Sequence, residues 1–212
     1  MADTAYSQDA PPPPPDLNPP PPHLAICPPA PTLRPPPLES VTDGTVTIRR
    51  WLASDADALF HIITNSRARL AAWMPWARRD SPYQRHEAVA FTERTALRWD
   101  AGSGWDYAIT TGEQVIGSCG LRRREDNPGV DAGYWLAEGH TGKGLATRAV
   151  GLLTEQAWGM GVPSVRVVHD EANGRSAGVP RRLGFECEGE VEAEDNPEGR
   201  RDTVWVKYRG AS

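Results

Sequence analysis

Hydrophobic and polar positions change period several times along the chain, and each change marks an element. Thr45-Val46-Thr47-Ile48-Arg49 alternates with period two and predicts a strand. From Ser54 the period lengthens. Ala58, Leu59, Ile62 and Ile63 share one face of a helix, with Ser54 and Asp57 at capping-box spacing ahead of them. A second helical piece, residues 67–73, is stopped by Pro75 within Trp73-Met74-Pro75-Trp76. Those two tryptophans read either as core or as the aromatic wall of a substrate pocket. Residues 85–99 predict another helix, ended by Asp100-Ala101-Gly102-Ser103-Gly104. Tyr107-Ala108-Ile109-Thr110, the turn Thr111-Gly112-Glu113 and the apolar run 115–121 then form a hairpin.

The most informative stretch follows. Ala132-Gly133-Tyr134-Trp135-Leu136 is a short apolar strand that passes through a loop with Gly139, Gly142 and Gly144 into a helix. Ala146, Ala149, Val150, Leu153 and Ala157 make that helix's apolar stripe, and Gly159 and Gly161 close it. First-turn amides at a helix N-terminus lack partners and sit at the positive end of the helix dipole, so strand, glycine loop and helix together make an anion site. A Walker loop is excluded, because its first glycine would fall at Ala137 and Gly144 stands where Ser or Thr should follow the lysine. The dinucleotide glycine pattern fails at Thr147. From the loop alone, a phosphate cradle and a plain connecting turn both stay open. Beyond it, residues 165–169 predict a strand, 173–183 a short helix capped by Gly184, and 185–189 with 203–208 a closing hairpin.

Composition narrows the function classes. The 212 residues allow one domain with a tail. With 28 acidic against 23 basic residues, the chain lacks the basic excess of a general nucleic-acid binder. Cys27, Cys119 and Cys187 form neither a disulfide framework nor a metal-ligand pattern, which points to a reducing compartment and no metal. No apolar run is long enough for a membrane span, and no secretory leader is visible. Residues 1–40 are proline-rich and expected to be an extended, disordered tail, with a folded domain over 41–212.

Taken in order, Gly142-Lys143-Gly144-Leu145-Ala146 at the helix start and Asn173-x-x-Ser176-x-x-Val179-x-x-Arg182-Leu183-Gly184-Phe185 some thirty residues later resemble the GCN5-related N-acetyltransferase superfamily. The Arg69-Leu70-x-x-Trp73-Met74-Pro75-Trp76 block and the Gly133-Tyr134-Trp135-Leu136 strand are similar to its RimJ/RimL-like branch, which acetylates ribosomal-protein N-termini. The likeness covers residues 43–210. It implies an α+β (α/β/α sandwich) fold: a mixed, mostly antiparallel sheet with a splayed parallel pair at its centre, flanked by helices. It also implies a cytoplasmic bacterial enzyme that uses acetyl-CoA as co-substrate. Position by position, Thr141, Gly142, Lys143, Gly144, Leu145, Ala146 and Thr147 would hold the pyrophosphate. Tyr134, Trp135 and Leu136 would pair with the pantetheine arm, Asn173 would contact it, and Ser176 would lie by the thioester sulfur. Trp73 and Trp76 would border the acceptor.

Two residues depart from the family pattern. Thr141 replaces the usual Arg or Gln, and Pro180 falls inside the short helix after Asn173, where it deletes the hydrogen bond to Ser176. The chemistry so implied is direct attack of an amine on the acetyl thioester. A backbone N–H near Leu136 would polarise the carbonyl, Ser176 would assist the departing sulfur, and Asp131 or His169 would be the base. The acceptor is expected to be a protein N-terminal α-amine. Small amines such as polyamines or antibiotics, and a non-catalytic acyl-CoA-binding module, are the alternatives. The loops at 74–85 and 190–202, the latter with the acidic run Glu190-x-Glu192-x-Glu194-Asp195, would form the variable acceptor side. A homodimer is left open.

Overall fold

The computed structural model describes residues 35–124, 127–193 and 199–210. Most of the proline-rich segment, Cys27 and the Glu194-Asp195 part of the acidic run lie outside the described residues.

Among the described residues, eight strands form one sheet: β1 (Ser40–Thr42), β2 (Thr47–Arg50), β3 (Gly104–Thr111), β4 (Gln114–Arg123), β5 (Val130–Leu136), β6 (Ser164–Asp170), β7 (Glu186–Glu192) and β8 (Arg201–Tyr208). Their order is β1-β2-β3-β4-β5-β6-β8-β7. Neighbours are antiparallel except β5 and β6. Four α-helices pack on it among the described residues: α1 (Ala56–Ala71), α2 (Arg85–Ala101), α3 (Leu145–Gly159) and α4 (Gly174–Arg182). This is the expected α/β/α arrangement.

Period-two alternation divides the core in two. Tyr107, Ile109, Leu121, Val130, Ala132 and Leu136 pack with Leu145, Ala149, Leu153 and Ala157 of α3. On the other face, Ala108, Val115 and Trp135 pack with Leu59, Ile63 and Leu70 of α1 and with Ala88 and Phe91 of α2. Each such fully buried aliphatic side chain contributes roughly 1.5–3 kcal/mol.

Several expectations are corrected. The helical pieces at 54–63 and 67–73 are one helix, α1, because no breaker separates them and Pro75 lies beyond its end. The capping box is not Ser54 with Asp57. Asp55 takes that place by accepting the Leu52 N–H at 2.8 Å. Burial works to raise the Asp55 pKa, but the paired Arg49 guanidinium (2.7 and 2.8 Å) and the Leu52 amide hold the carboxyl below its ordinary value. Asp57 instead pairs with Arg85 on the surface. Strand β1 precedes the expected first strand. Leu38 donates its N–H to Gln156 Oε1 of α3 at 2.9 Å and accepts the Tyr107 hydroxyl at 3.0 Å, so the chain is tied in before β1 starts.

A bulge in β4 sets the position of the site strand. Ile109 registers with Gly117 and Thr110 with Val115, which leaves Ile116 as the extra residue. Its carbonyl accepts the Ala137 N–H at 2.7 Å, just past the end of β5. Beside it, Gly117 lets β5 approach closely, since a Cβ there would strike the Trp135 carbonyl and lie 2.9 Å from Leu136 Cα. Gly117→Ala is therefore expected to destabilise the protein by about 1–3 kcal/mol. Gly159→Ala, in the last turn of α3 with nothing within 4 Å of the added carbon, should be neutral or stabilising by about 0.5–1 kcal/mol. Denaturant unfolding of the two variants checks both.

Candidate active site

The site begins where β5 and β6 part. Their parallel register holds only for Val130↔Val165 and Asp131↔Arg166. Beyond it β5 continues beside β4 as far as Leu136, and β6 continues beside β8 as far as Asp170. Each strand is held on its outer side, so the inner edges diverge and their backbone groups face a gap.

The gap has two faces. On the α3/α4 side lies Tyr134, whose hydroxyl donates to the Ser176 carbonyl at 3.1 Å and lies 3.4 Å from Ser176 Oγ. Burial pushes the Tyr134 phenol up to about 12, with the Ser176 hydrogen bond opposing. Asn173 caps α4 by accepting the Ser176 N–H on Oδ1 at 3.1 Å. Tyr134, Asn173 and Ser176 are thus brought together at the open edge. Pro180 lies within α4 without breaking it.

At the end of β5 the chain enters the glycine loop. Arg69 of α1 donates from Nη2 to the Leu136 carbonyl, and Ser66 Oγ accepts the Glu138 N–H at 2.8 Å. Burial pushes the Arg69 guanidinium below its ordinary value; Glu138's charge opposes this and Arg175's adds to it. Gly142 and Gly144 have φ of +77° and +74°, in the left-handed region that favours glycine, and open space lies where their side chains would be. Gly144 precedes α3, which has neither a side-chain cap nor an acidic residue in its first turn. The amides of Leu145, Ala146 and Thr147 have no i−4 carbonyl inside the helix. With half-buried Thr141 and exposed Lys143 beside them, they form an anion-binding corner. Arg148 anchors this turn to the β1–β2 loop through Asp43 at 2.8 Å. The Val46 amide first, and Arg148 next, hold the Asp43 carboxyl down to about 2.

The α1 side of the gap is aromatic and charged. Trp135 packs on Trp76 with ring centroids 6.1 Å apart. Both are buried, and among the described residues neither indole N–H has a hydrogen-bond partner. Trp73 is half-buried, with the Arg200 guanidinium over its ring at 5.8 Å. Arg200 also pairs with Asp170 at 3.0 Å. Asp170 and Asp202 are register partners across β6 and β8. Burial raises the Asp202 carboxyl above its ordinary value; the Asp170 charge adds to this and His169 opposes it. The Asp170–Asp202 pair was not singled out in the sequence. A carboxylate on the strand bordering the gap, paired with one 32 positions later, leaves no local motif.

The two candidate bases are placed differently. Asp131 sits at the closed end of the strand pair, where both its oxygens accept from Arg166 at 2.6 and 2.9 Å. Residue alternation along β5 puts it on the Trp135 side, away from Ser176. His169 is buried with both ring nitrogens engaged. Nε2 accepts the Trp205 indole N–H at 2.9 Å, which makes Nδ1 the protonated nitrogen, donating to the Asp170 carbonyl at 2.9 Å. Neither ring nitrogen is left to take a proton from a substrate. Among the described residues, no group of three or more His, Cys, Asp or Glu side chains is arranged to hold a metal.

Comparison with known proteins bears on the family and the fold. The profile of the acetyltransferase (GNAT) domain family matches residues 45–186. YdaF of Bacillus subtilis (strain 168), whose name provisionally makes it a ribosomal N-acetyltransferase, is 26% identical over 148 residues, 69% of this chain and 80% of its own. Among solved structures, RimL, a ribosomal L7/L12 α-N-protein acetyltransferase in complex with coenzyme A, superposes with TM-score 0.74 at 19% identity, covering 82% of this chain and 100% of its own. The microcin C7 self-immunity acetyltransferase MccE, in complex with acetyl-CoA and AMP, does so with TM-score 0.73 at 20% identity, covering 84% and 99%. Mycobacterium smegmatis RimJ, in complex with CoA-disulfide, gives 0.69 at 19%, covering 81% and 85%.

The hydrogen bonds of His169 give it a structural task. His169→Phe should leave the Trp205 N–H buried without an acceptor and lower stability by about 1–3 kcal/mol, as read by denaturant unfolding.

Proposed function

The chain belongs to the acetyltransferase (GNAT) domain family, and on that footing we propose that it transfers the acetyl group of acetyl-CoA to a protein N-terminal α-amine by direct attack in a ternary complex. The observation that carries the reading is the early parting of β5 from β6, with Ser176 on one side of the opening and a charged, aromatic surface on the other. The acceptor class is supported by the names of the relatives, which include ribosomal-protein acetyltransferases.

The residues fit acetyl-CoA. Its pyrophosphate suits the uncapped start of α3, where positive-φ glycines admit close approach and Lys143 adds charge. Its amide-bearing arm suits the unpaired edge of β5 at Tyr134, Trp135 and Leu136, which offers backbone partners much as a neighbouring strand would. The thioester then spans the gap and meets the amine from the α1 side. The amine nitrogen forms the bond to the acetyl carbon, the carbon–sulfur bond breaks, and the departing thiolate is hydrogen-bonded by the Ser176 hydroxyl, which relays a proton to it from water and so stays neutral. The amine's surplus proton goes to Asp202, whose raised pKa suits it as an acceptor, directly or through water. An α-amine with pKa near roughly 7.7–8.0 already supplies on the order of a tenth of its population neutral at pH 7, so a modest base suffices. The Asp202 carboxylate attracts the cationic form to the same place, the Asp170 carboxylate being already paired with Arg200.

Thiol release from acetyl-CoA, measured against N-terminal peptides, polyamines and aminoglycosides, tests the reading. Peptide-dependent release is expected, with kcat/KM rising as pH climbs toward roughly 8 and the amine loses its proton. Ser176→Ala should lower kcat by roughly ten- to a hundredfold, and Asp202→Asn should lower kcat/KM. Release with the small amines alone would reassign the acceptor; CoA binding without release would leave a binding module.

A further inference from the structure

In an α-helix the carbonyl of residue i accepts the N–H of residue i+4, so the Ser176 carbonyl would be served by residue 180. That residue is proline, which has no N–H and whose ring crowds the carbonyl four positions earlier. The deficit falls on Ser176, the residue to which the proposed function gives the departing sulfur. The structure supplies the missing donor from outside the helix: Tyr134 of β5, 42 positions away, donates its phenol to that carbonyl at 3.1 Å.

We propose that Tyr134 is a positioning residue for the acetyl transfer: its hydroxyl replaces the helix bond that Pro180 deletes, and this single contact clamps the start of α4 to the open edge of β5 and fixes the Ser176 hydroxyl at the reacting sulfur. The inference rests on the role given to Ser176 under the proposed function.

The donor assignment follows from counting protons. Tyr134 has one, and the carbonyl, which can only accept, is the nearer partner. The phenolic oxygen, 3.4 Å from Ser176 Oγ, is left as an acceptor, so the serine proton has a resting partner and stays free to turn to the thiolate. The phenol stays protonated across the working range because burial holds its pKa at about 12. At the other end, the Asn173 cap fixes the Ser176 N–H. Serine is therefore held through both backbone groups, one by its own helix and one by the strand that receives the substrate arm. Proline makes the second attachment obligatory, since the carbonyl has no internal alternative.

The test is a set of cycles among Tyr134→Phe, Pro180→Ala and Ser176→Ala, read in kcat, in affinity for CoA and in unfolding midpoint. Tyr134→Phe should lower kcat by roughly three- to thirtyfold, the loss of one positioned hydrogen bond, with CoA affinity changed less than about twofold. In Pro180→Ala the restored N–H at 180 gives the carbonyl a donor. There, Tyr134→Phe should cost no more than about twofold, and the midpoint shifts should be less than additive. If Tyr134→Phe alone fails to fold, the Tyr134→Phe/Pro180→Ala protein should fold and turn over within about threefold of Pro180→Ala. In a Ser176→Ala background, Tyr134→Phe should have no further effect on kcat. An unchanged kcat in Tyr134→Phe, or an equal loss with and without Pro180, overturns the proposal even when Ser176→Ala is impaired. A Ser176→Ala protein with full kcat overturns the role of Ser176 instead, and the unfolding cycle then reads the clamp by itself.

Discussion

Everything in the site depends on how soon β5 and β6 stop pairing. Two parallel strands held on their outer sides by antiparallel partners lose little by separating, because β4 and β8 still satisfy one edge of each. What must be prevented is a clean zip along the full length. Asp131 and Arg166 fix the closed end with a two-point ion pair directly at the last registered position. The Ile116 bulge and the close approach at Gly117 hold the far end of β5 to β4, while α1 takes the Leu136 carbonyl through Arg69. Asp131 thus serves as the hinge of the opening.

The opening separates two kinds of charge. The α3 side presents amides, a helix N-terminus and Lys143, which suit an anionic ligand. The α1 side presents the Asp202 carboxylate and the Arg200–Asp170 pair beside an aromatic surface, a polar face that suits an amine. A reaction between an anionic acyl carrier and an amine needs both, at a distance that keeps the acids from repelling the phosphates. A single sheet, open along part of its length, keeps the two sides apart, and in the proposed transfer the reacting atoms would meet in its plane.

Much of this was legible in the sequence where the signal is local. The hairpin of β3 and β4, the glycine loop and apolar stripe of α3, and the Asn173-to-Ser176 segment all sit where periodicity and spacing put them. Local rules failed where a distant partner decided the outcome. The acid that takes the capping amide is Asp55 and not Asp57, and it is held there by Arg49 of β2. His169 reads as a candidate base until Trp205 and the Asp170 carbonyl are seen to occupy both its nitrogens. Asp202 carries no motif, and it becomes notable only when β8 inserts between β6 and β7 and sets it opposite Asp170.

Pro180 shows the same limit from the opposite side. Judged within its own helix it is a defect, since it removes a donor and crowds a carbonyl at a cost of about 3 kcal/mol when nothing compensates. In the folded protein the carbonyl it vacates becomes the attachment point for a tyrosine on the strand that lines the substrate gap. A helix with complete internal hydrogen bonding would have no such free acceptor, and its first turn would be held to the sheet by packing alone. Proline turns a local loss into a directed contact, and the residue that gains by it is Ser176, to which the proposed transfer gives the departing sulfur.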